Sequence, residues 1–565
     1  MTTSESSIGE KAVNSPSDSF NVTISSLFPI QLRLFSVSSI VIFSTFIAAF
    51  YNMLFWRQVI ARFQSYSLSV VLFCILMLLL IGLPIMLFLL VFGNKYTLKP
   101  LMGLLVTTAC ITAWFNHMGV VIGEDMVRNV FQTNVHEALE LINVPFILFI
   151  IGFAALPTLL ICKLDIQFYN PVREIVTRTT VTFIILIVIA ILAATNFKFI
   201  SYFGRENRDL RVYINPGYPL LSLLHYIENR YSGNAVFKVI GSDAHQTLMN
   251  SKKTVGILVV GETARADHFS LNGYSRFTNP NLSNEDILNF SNVTSCGTST
   301  AYSVPCMFSF LNSNNYSPDK AEKQSNLLDV LESAGVKTFW RDNNSSCKGV
   351  CKRVEYENFR DDIDPESIYY HKGEYIDEVL LSNLEKKIDL PKTDMLIVFH
   401  QLGSHGLAYF RRYPEYFSKY KPVCESNSPQ NCTDEAVINS YDNTILYTDY
   451  FLSKTIDILK QNENKYRSFL IYTSDHGESL GEEGIYLHGM PLAIAPEAQT
   501  HVPMTIWLSD DLKHDQSLAS YKLENCLNKP VSHDNLVHSV LSLFHIETSI
   551  KNTNLDLFGN ACNLI

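Results

Sequence analysis

Apolar residues in this chain are gathered in blocks, nearly all within the first 200 positions. Five runs, about Leu34–Trp56, Leu68–Phe92, Leu101–Met118, Pro145–Cys162 and Thr179–Ile200, are each long enough to cross a bilayer, because about 20 residues of helix span its hydrocarbon core. Met1 to Ser26 is Ser/Thr/Asn-rich, with neither a basic leader nor a small-residue cleavage site. It reads as a disordered cytoplasmic tail. Five crossings put the two ends of the chain on opposite sides of the membrane. Lys95 and Lys99 follow the second run, and Lys163, Arg173 and Arg178 follow the fourth. Those loops are therefore cytoplasmic by the positive-inside rule. Arg57 and Arg62 argue the other way more weakly, and the half beyond Ser201 is expected to be extracytoplasmic.

Between the third and fourth runs, GEDMVRNVFQTNVHEALELI has helical periodicity. Val127, Val130, Phe131, Val135 and Leu139 form a stripe, while Asn129, Thr133 and Glu137 recur at four-residue spacing on another face. On pattern alone that second face is an ordinary solvated one. From 201 to 250 a bridging segment carries Leu220, Leu221, Leu223, Leu224 and Ile227 among His225, Glu228 and Arg230. This fits a helix on the membrane surface or, equally, a core helix.

After residue 250 the period shortens. Val255–Val260, Lys337–Arg341, Met395–Phe399, Ser468–Thr473 and Met504–Leu508 read as strands, separated by helical segments such as Asn326–Ser333 and Asn439–Leu459. The alternation predicts a largely parallel sheet covered on both faces. The expected division is a tail at 1–32, a five-helix membrane domain at 33–200, a bridge at 201–250 and an α/β domain at 251–565.

Composition agrees with the blocks: mean hydropathy is +0.11 with 17% charged residues over 565 positions. A formal net charge of -10 leaves no basic patch for nucleic acid. Cys74, Cys110 and Cys162 stand singly in the membrane runs, whereas eight cysteines lie in the C-terminal half. Six of these are close neighbours, Cys296 with Cys306, Cys347 with Cys351 and Cys424 with Cys432. Such pairing reads as disulfides on an oxidising side of the membrane, and the spacings fit a zinc cluster poorly.

Ligands of such sheets bind beyond the carboxyl ends of the strands. There the sequence puts Glu262, His405 and the pair Asp475–His476, with His488 in the next loop. Carboxylates and imidazoles together suit Zn²⁺. The stretch SCGTSTAYSVPC, between Cys296 and Cys306, supplies hydroxyls that such a metal would activate. The pattern does not choose among Thr298, Ser299 and Thr300.

VVGETARADHFSLNGY, SCGTSTAYSVPCMFS, GSHG and SDHGESLGEEGIYLHG, with the five-crossing half, resemble the lipid A phosphoethanolamine transferases of Gram-negative bacteria, including the mobile colistin-resistance enzymes. The likeness spans nearly the whole chain. It implies an α-helical membrane domain of five transmembrane helices and an α/β alkaline phosphatase/sulfatase-like periplasmic domain. It also implies transfer of phosphoethanolamine from phosphatidylethanolamine to a lipid A phosphate, which lowers surface charge and gives polymyxin resistance. A lipopolysaccharide core sugar or another periplasmic glycan is the alternative acceptor. The protein is then a monomeric, multi-pass protein of the bacterial inner membrane.

By the same resemblance Thr300 is the nucleophile, and Glu262, Asp475 and His476 join it on one zinc. His405 and His488 serve a second zinc or the substrate phosphate. Asn344 and Lys348, in DNNSSCKG, hold the phosphoethanolamine, and Asn129, Thr133 and Glu137 meet the lipid headgroup. Cys526 and Cys562 are left to each other. Some members carry another cysteine pair before GEYIDEVL that is missing here, so that loop is expected to be less tightly held. His371 and His533 are read as structural or surface residues. A sulfatase would need a Cys/Ser-x-Pro-x-Arg signature, a lipoteichoic acid synthase fewer disulfides, and a non-enzymatic sensor no Thr/Glu/Asp/His constellation.

Overall fold

The computed structural model describes residues 32–564 apart from 64–67, 134–137, 140, 232–235, 249–251, 362–363, 390–391, 428, 519–522 and 525. The tail at 1–31 lies outside the described residues, as does Glu137. Among those described, four helices are long and apolar enough to cross a membrane: Leu68–Phe92, Leu98–His117, Val144–Lys163 and Pro171–Thr195. A fifth span is the pair Ser36–Phe50 and Met53–Ala61, bent by 57°.

The first run is therefore not one straight helix, and Asn52 supplies the reason. Its amide donates to the Ile47 carbonyl at 3.1 Å and the Asn215 carbonyl at 2.8 Å, and it accepts from the Asn215 backbone at 2.7 Å. Asn215 in turn donates to the carbonyls of Tyr51 (3.0 Å) and Ala109 (2.7 Å). Backbone groups freed at the break are thus satisfied inside the protein, as a bilayer requires. The last span also departs from the hydropathy pattern. It begins at Pro171, capped by Asn170, and holds Arg173 and Arg178 in its first turns rather than in a loop. Arg178 pairs with Glu174 at 2.9 Å, which removes the isolated charge. The span closes at Thr195, after which Phe197–Glu206 forms a separate helix.

In the second half eight strands form one sheet. In chain order they are β1 (Thr254–Gly261), β2 (Ile287–Thr294), β3 (Lys337–Asp342), β4 (Glu355–Asn358), β5 (Met395–His400), β6 (Arg467–Ser474), β7 (His501–Leu508) and β8 (Val531–Ser532). Their spatial order is β8-β2-β7-β6-β1-β5-β3-β4, and only β7 runs against the others. Strands buried on both faces need apolar residues at every position. Leu258 and Val260 accordingly join Trp340, Val398 and Phe469 in one core, while Val255, Ile257 and Val259 join Phe399, Tyr441 and Phe451 in the other.

The two halves meet. Helix Glu124–Gln132 packs on helix Thr300–Met307 and on the bridging helix Gly217–Tyr231. Arg128 pairs with Asp319 at 3.1 Å, and Asn229 donates to Glu124 at 2.8 Å. On the bridging helix Leu220, Leu221, Leu224 and Ile227 are exposed while Tyr226 is buried, so most of its apolar residues do not enter a core.

Candidate active site

The carboxyl ends of β1, β5 and β6 converge. Glu262 follows β1, Asp475 and His476 follow β6, and all three are fully buried. Thr300 opens the helix Thr300–Met307, with Ser299 at its cap position. Its hydroxyl Oγ1 lies 3.3 and 3.2 Å from the two Glu262 oxygens and 3.4 Å from His476 Nε2. The neighbouring hydroxyls are turned elsewhere. Thr298 donates to the Met490 carbonyl at 2.6 Å, Ser295 to Gly297 at 2.7 Å and Ser303 to the Asp475 carbonyl. Ser299 Oγ is buried without a partner among the described residues. The geometry thus separates three hydroxyls that the pattern left equivalent.

Glu262, Asp475 and His476 each bring a ligand atom within 4.8 Å of the others, and so do Glu262, His405 and His488. Both groups could hold a metal ion, with Glu262 common to the two. His476 Nε2 lies 3.3 Å from Asp475 Oδ2, and no donor meets that oxygen at hydrogen-bonding geometry among the described residues. Burial, with Asp475 alongside, raises the Glu262 carboxyl, and burial pushes Asp475 up to about 7 and His476 down to about 4. Left to itself the site favours neutral groups, so a divalent cation is what would keep the carboxylates charged.

Backbone conformation around these groups is tightly constrained. Thr263, directly after Glu262, is held at φ 53°, uncommon for a β-branched residue, and its N–H donates to Asp475 Oδ1 at 3.3 Å. Gly403 (φ 54°) passes so close that a Cβ there would lie 2.8 Å from the Glu262 carbonyl oxygen. Asp377 anchors that turn by accepting from Leu402 N at 2.8 Å and Gly403 N at 3.0 Å.

Several supporting residues had no signal in the sequence reading. Glu478 accepts from His488 Nδ1 at 2.7 Å and from the Tyr409 hydroxyl at 2.8 Å. That contact fixes the His488 ring and turns Nε2 toward the cluster. Its position two residues after His476 was the available clue. Asp342 and His400, both fully buried, pair at 3.2 Å beneath the site. His533 is structural: it accepts from Cys296 N at 3.1 Å and lies 3.0 Å from the Ser474 carbonyl, tying the Thr300 loop to the end of β6. His371 is part of a two-strand hairpin, Tyr370–His371 with Glu374–Tyr375, and belongs to neither metal-capable group.

Asn344 gives both amide hydrogens to the protein, to Glu262 Oε2 and the Gln401 carbonyl, each at 2.7 Å. Lys348 Nζ donates to Ser345 Oγ at 2.7 Å and to the Gln132 carbonyl at 3.4 Å, linking the site to the outer loop. In that loop the helix ends at Gln132. Thr133 is its extended cap residue, so it does not continue one helical face with Asn129. Its hydroxyl turns back to the Asn129 carbonyl at 2.8 Å.

Four disulfides join Cys296 to Cys306, Cys347 to Cys351, Cys424 to Cys432 and Cys526 to Cys562. Within GEYIDEVL, Glu374 pairs with Arg412, both nearly buried, and Arg412 Nε donates to the His405 carbonyl at 2.8 Å.

Comparison with known proteins agrees with this architecture. The family model described as phosphoethanolamine transferase EptA/EptB matches residues 80–231, and the sulfatase model matches 254–546. Phosphoethanolamine transferase EptA of Escherichia coli K12 is 37% identical over 518 residues, 89% of this chain and 93% of its own length. This chain belongs to the phosphoethanolamine transferase family. Another relative in that family, phosphatidylethanolamine transferase Mcr-1 of Escherichia coli, is 38% identical over 80% of this chain and 84% of its own length. Among solved structures, the integral membrane lipooligosaccharide phosphoethanolamine transferase A of Neisseria meningitidis superposes with a TM-score of 0.88 at 31% identity, covering 93% of this chain and 98% of that one. The membrane helices and the sulfatase-like domain are thus the family's full-length architecture in a multi-pass membrane protein.

Proposed function

We propose that this protein transfers phosphoethanolamine from phosphatidylethanolamine to a phosphate of lipid A through a covalent intermediate on Thr300. The observation that carries the reading is the Thr300 hydroxyl, which faces Glu262 and His476, while Thr298 and Ser303 bond to carbonyls and Ser299 Oγ meets no partner among the described residues. The donor follows from the name of the Mcr-1 relative, and the acceptor class from the lipooligosaccharide that the meningococcal enzyme modifies.

Thr300 Oγ1 bonds to phosphorus as the bond from phosphorus to the diacylglycerol oxygen breaks, and the hydroxyl proton is relayed by the Glu478–His488 pair to the departing oxygen, while Glu262 stays an anion. A phosphate oxygen of the acceptor monoanion then attacks the same phosphorus, the bond to Thr300 breaks, and the acceptor's proton returns through the same pair to Thr300, so the cycle balances. The positive end of the Thr300–Met307 helix faces the transferred group.

Glu262, Thr300, Asp475 and His476 fit a zinc ion, and His405 and His488 with Glu262 fit a second. The unpartnered Asp475 Oδ2 and the mixed oxygen and nitrogen donors support that assignment. When bound, zinc would lower the pKa of the threonine hydroxyl and offset charge on the phosphoryl oxygens. Both substrates are membrane lipids, consistent with an inner-membrane enzyme whose catalytic half is periplasmic. An added ammonium on lipid A would weaken attraction for cationic peptides.

The test is intact mass after incubation with phosphatidylethanolamine. Wild type gains one phosphoethanolamine on the peptide containing Thr300 and Thr300→Ala gains none. An adduct on Ser299 or Thr298, or lipid A modification by Thr300→Ala, overturns the mechanism.

A further inference from the structure

Beside the Thr300 loop, where the two halves meet, lies a cavity of about 630 Å³. Its walls come from helix Glu124–Gln132, the bridging helix Gly217–Tyr231, the loop after β3 and, through Ala301 and Pro305, the helix that begins with Thr300. Charged residues on the wall are strongly one-sided: Arg128, Arg230, Lys348, Lys352 and Arg353 face only Glu322.

Some of this charge is already compensated. Lys352 pairs with Glu322 at 2.7 Å, and Arg353 with Asp329 at 2.5 and 2.6 Å. Arg128, 5% exposed, uses one terminal nitrogen on Asp319 and stacks on Tyr226, but its Nε is buried with no partner among the described residues. Arg230 is exposed; its charge acts on the Glu322 carboxyl, but the two form no ion pair at contact distance among the described residues. A buried guanidinium edge without an acceptor is costly unless something fills it, and an oxyanion does so with the right geometry.

We infer that this cavity seats the phosphorylated sugar headgroup of the acceptor lipid, with Arg128 and Arg230 as its phosphate-binding groups. The inference rests on the transfer reading above and adds where the second substrate binds. Lys348 is the wall residue that the family resemblance gives to the donor's phosphoethanolamine; the positive charge beyond it, on Arg128 and Arg230, exceeds what one zwitterionic headgroup takes up, whereas a saccharide bearing several phosphates matches it. The volume is that of a ligand pocket for a group of sugar size. Access favours a lipid: Ile227 lines the cavity from the same helix whose Leu220, Leu221 and Leu224 are exposed, an apolar face that suits acyl chains. The acyl chains of such an occupant stay in the bilayer while its headgroup enters beside Thr300.

The test uses the full-length protein in lipid nanodiscs, with Arg230→Glu and the conservative Arg230→Lys. The expected result for Arg230→Glu is a KM for bisphosphorylated glycolipid at least tenfold higher. Release of diacylglycerol in a single turnover without acceptor should stay within twofold of wild type, and Arg230→Lys within threefold on both measures. Calorimetry with the deacylated bisphosphorylated diglucosamine headgroup needs no turnover and should show binding about tenfold weaker in Arg230→Glu. An unchanged acceptor KM, an equal loss in the donor step, or inorganic phosphate binding as tightly as the sugar would overturn the assignment. If wild type forms no adduct from phosphatidylethanolamine, the transfer reading fails, and the calorimetric comparison still decides whether the cavity binds a phosphosugar.

Discussion

Asn344→Ala separates two roles that one side chain could play. Asn344 is 3% exposed, and both its amide hydrogens are engaged, by Glu262 Oε2 and by the Gln401 carbonyl at 2.7 Å each. Its own Oδ1 accepts from Ser345 N at 2.6 Å. Truncation strands buried groups that each cost roughly 1–3 kcal/mol when left unpaired. An amide donated to a carboxyl is worth more when that carboxyl is ionised. In the metal-free protein burial raises the Glu262 carboxyl, favouring its protonated form, whereas a bound cation requires the anion. The loss should therefore fall more on zinc binding than on folding: about 2 kcal/mol of stability, against a zinc affinity about 10–100-fold lower, the usual effect of removing a partner that orients a metal ligand. The assay is competition titration against a chromophoric chelator, with thermal unfolding of the chelated protein in parallel. If zinc affinity stays within twofold of wild type while transfer collapses, Asn344 acts on the phosphoethanolamine, as the family resemblance implies, and the argument through Glu262 is wrong.

Further outcomes follow from other parts of the chain. A reporter fused after Ile565 should work only if it is active in the periplasm, and one fused near Ser15 only if it is active in the cytoplasm; the reverse pattern would refute the topology. Replacing Cys424 and Cys432 by serine opens a loop of sequence separation 8 and should lower stability by about 2–3 kcal/mol, read from denaturant midpoints, without changing zinc content. His538 accepts from Asn552 N at 3.1 Å, and burial, with Lys551 nearby, pushes it down to about 4, below the usual histidine value of about 6.5. The unfolded chain binds the extra proton between those values, so roughly 3 kcal/mol of stability is lost as pH falls from about 6.5 to about 4. His538→Asn should flatten that slope, and an unchanged slope would show that another group sets it.

Much of the architecture was legible because its physical demands are written at every position. Spans such as Leu68–Phe92 must be apolar throughout, and β1, β5 and β6 are buried on both faces, so each appears as an uninterrupted run. The elements that escaped notice are those whose environment is mixed. β2 carries Asn289, Ser291 and Asn292 among its apolar residues, β4 is the edge strand EYEN, and β8 is only two residues long. The bend at Asn52 was hidden for a different reason. Its partner Asn215 lies 163 residues away, and nothing local reveals that a polar residue in an apolar run has found one.

The same distinction governs the site. Glu262, Asp475 and His476 could be proposed because each directly follows a recognisable strand, and parallel strands bring their carboxyl ends together. The hydroxyl could not, because Thr298, Ser299 and Thr300 differ only in where one helical turn points them, and that depends on where the helix begins. Ser299 takes the cap position in extended conformation and Thr300 the first turn, so a shift of one residue would have aimed a different oxygen at Glu262. What sets that register is tertiary: the loop is bridged from Cys296 to Cys306, the Cys296 N–H is received by His533, and Ser303 is bonded to the Asp475 carbonyl. His533→Ala should therefore disturb the aim of Thr300 without removing any group that faces Glu262. Transfer should fall while zinc binding by Glu262, Asp475 and His476 persists, and His533→Asn, which can still accept from Cys296, should restore part of it. Equal losses in both variants together with loss of zinc would mean that His533 holds up the fold rather than the register of the loop.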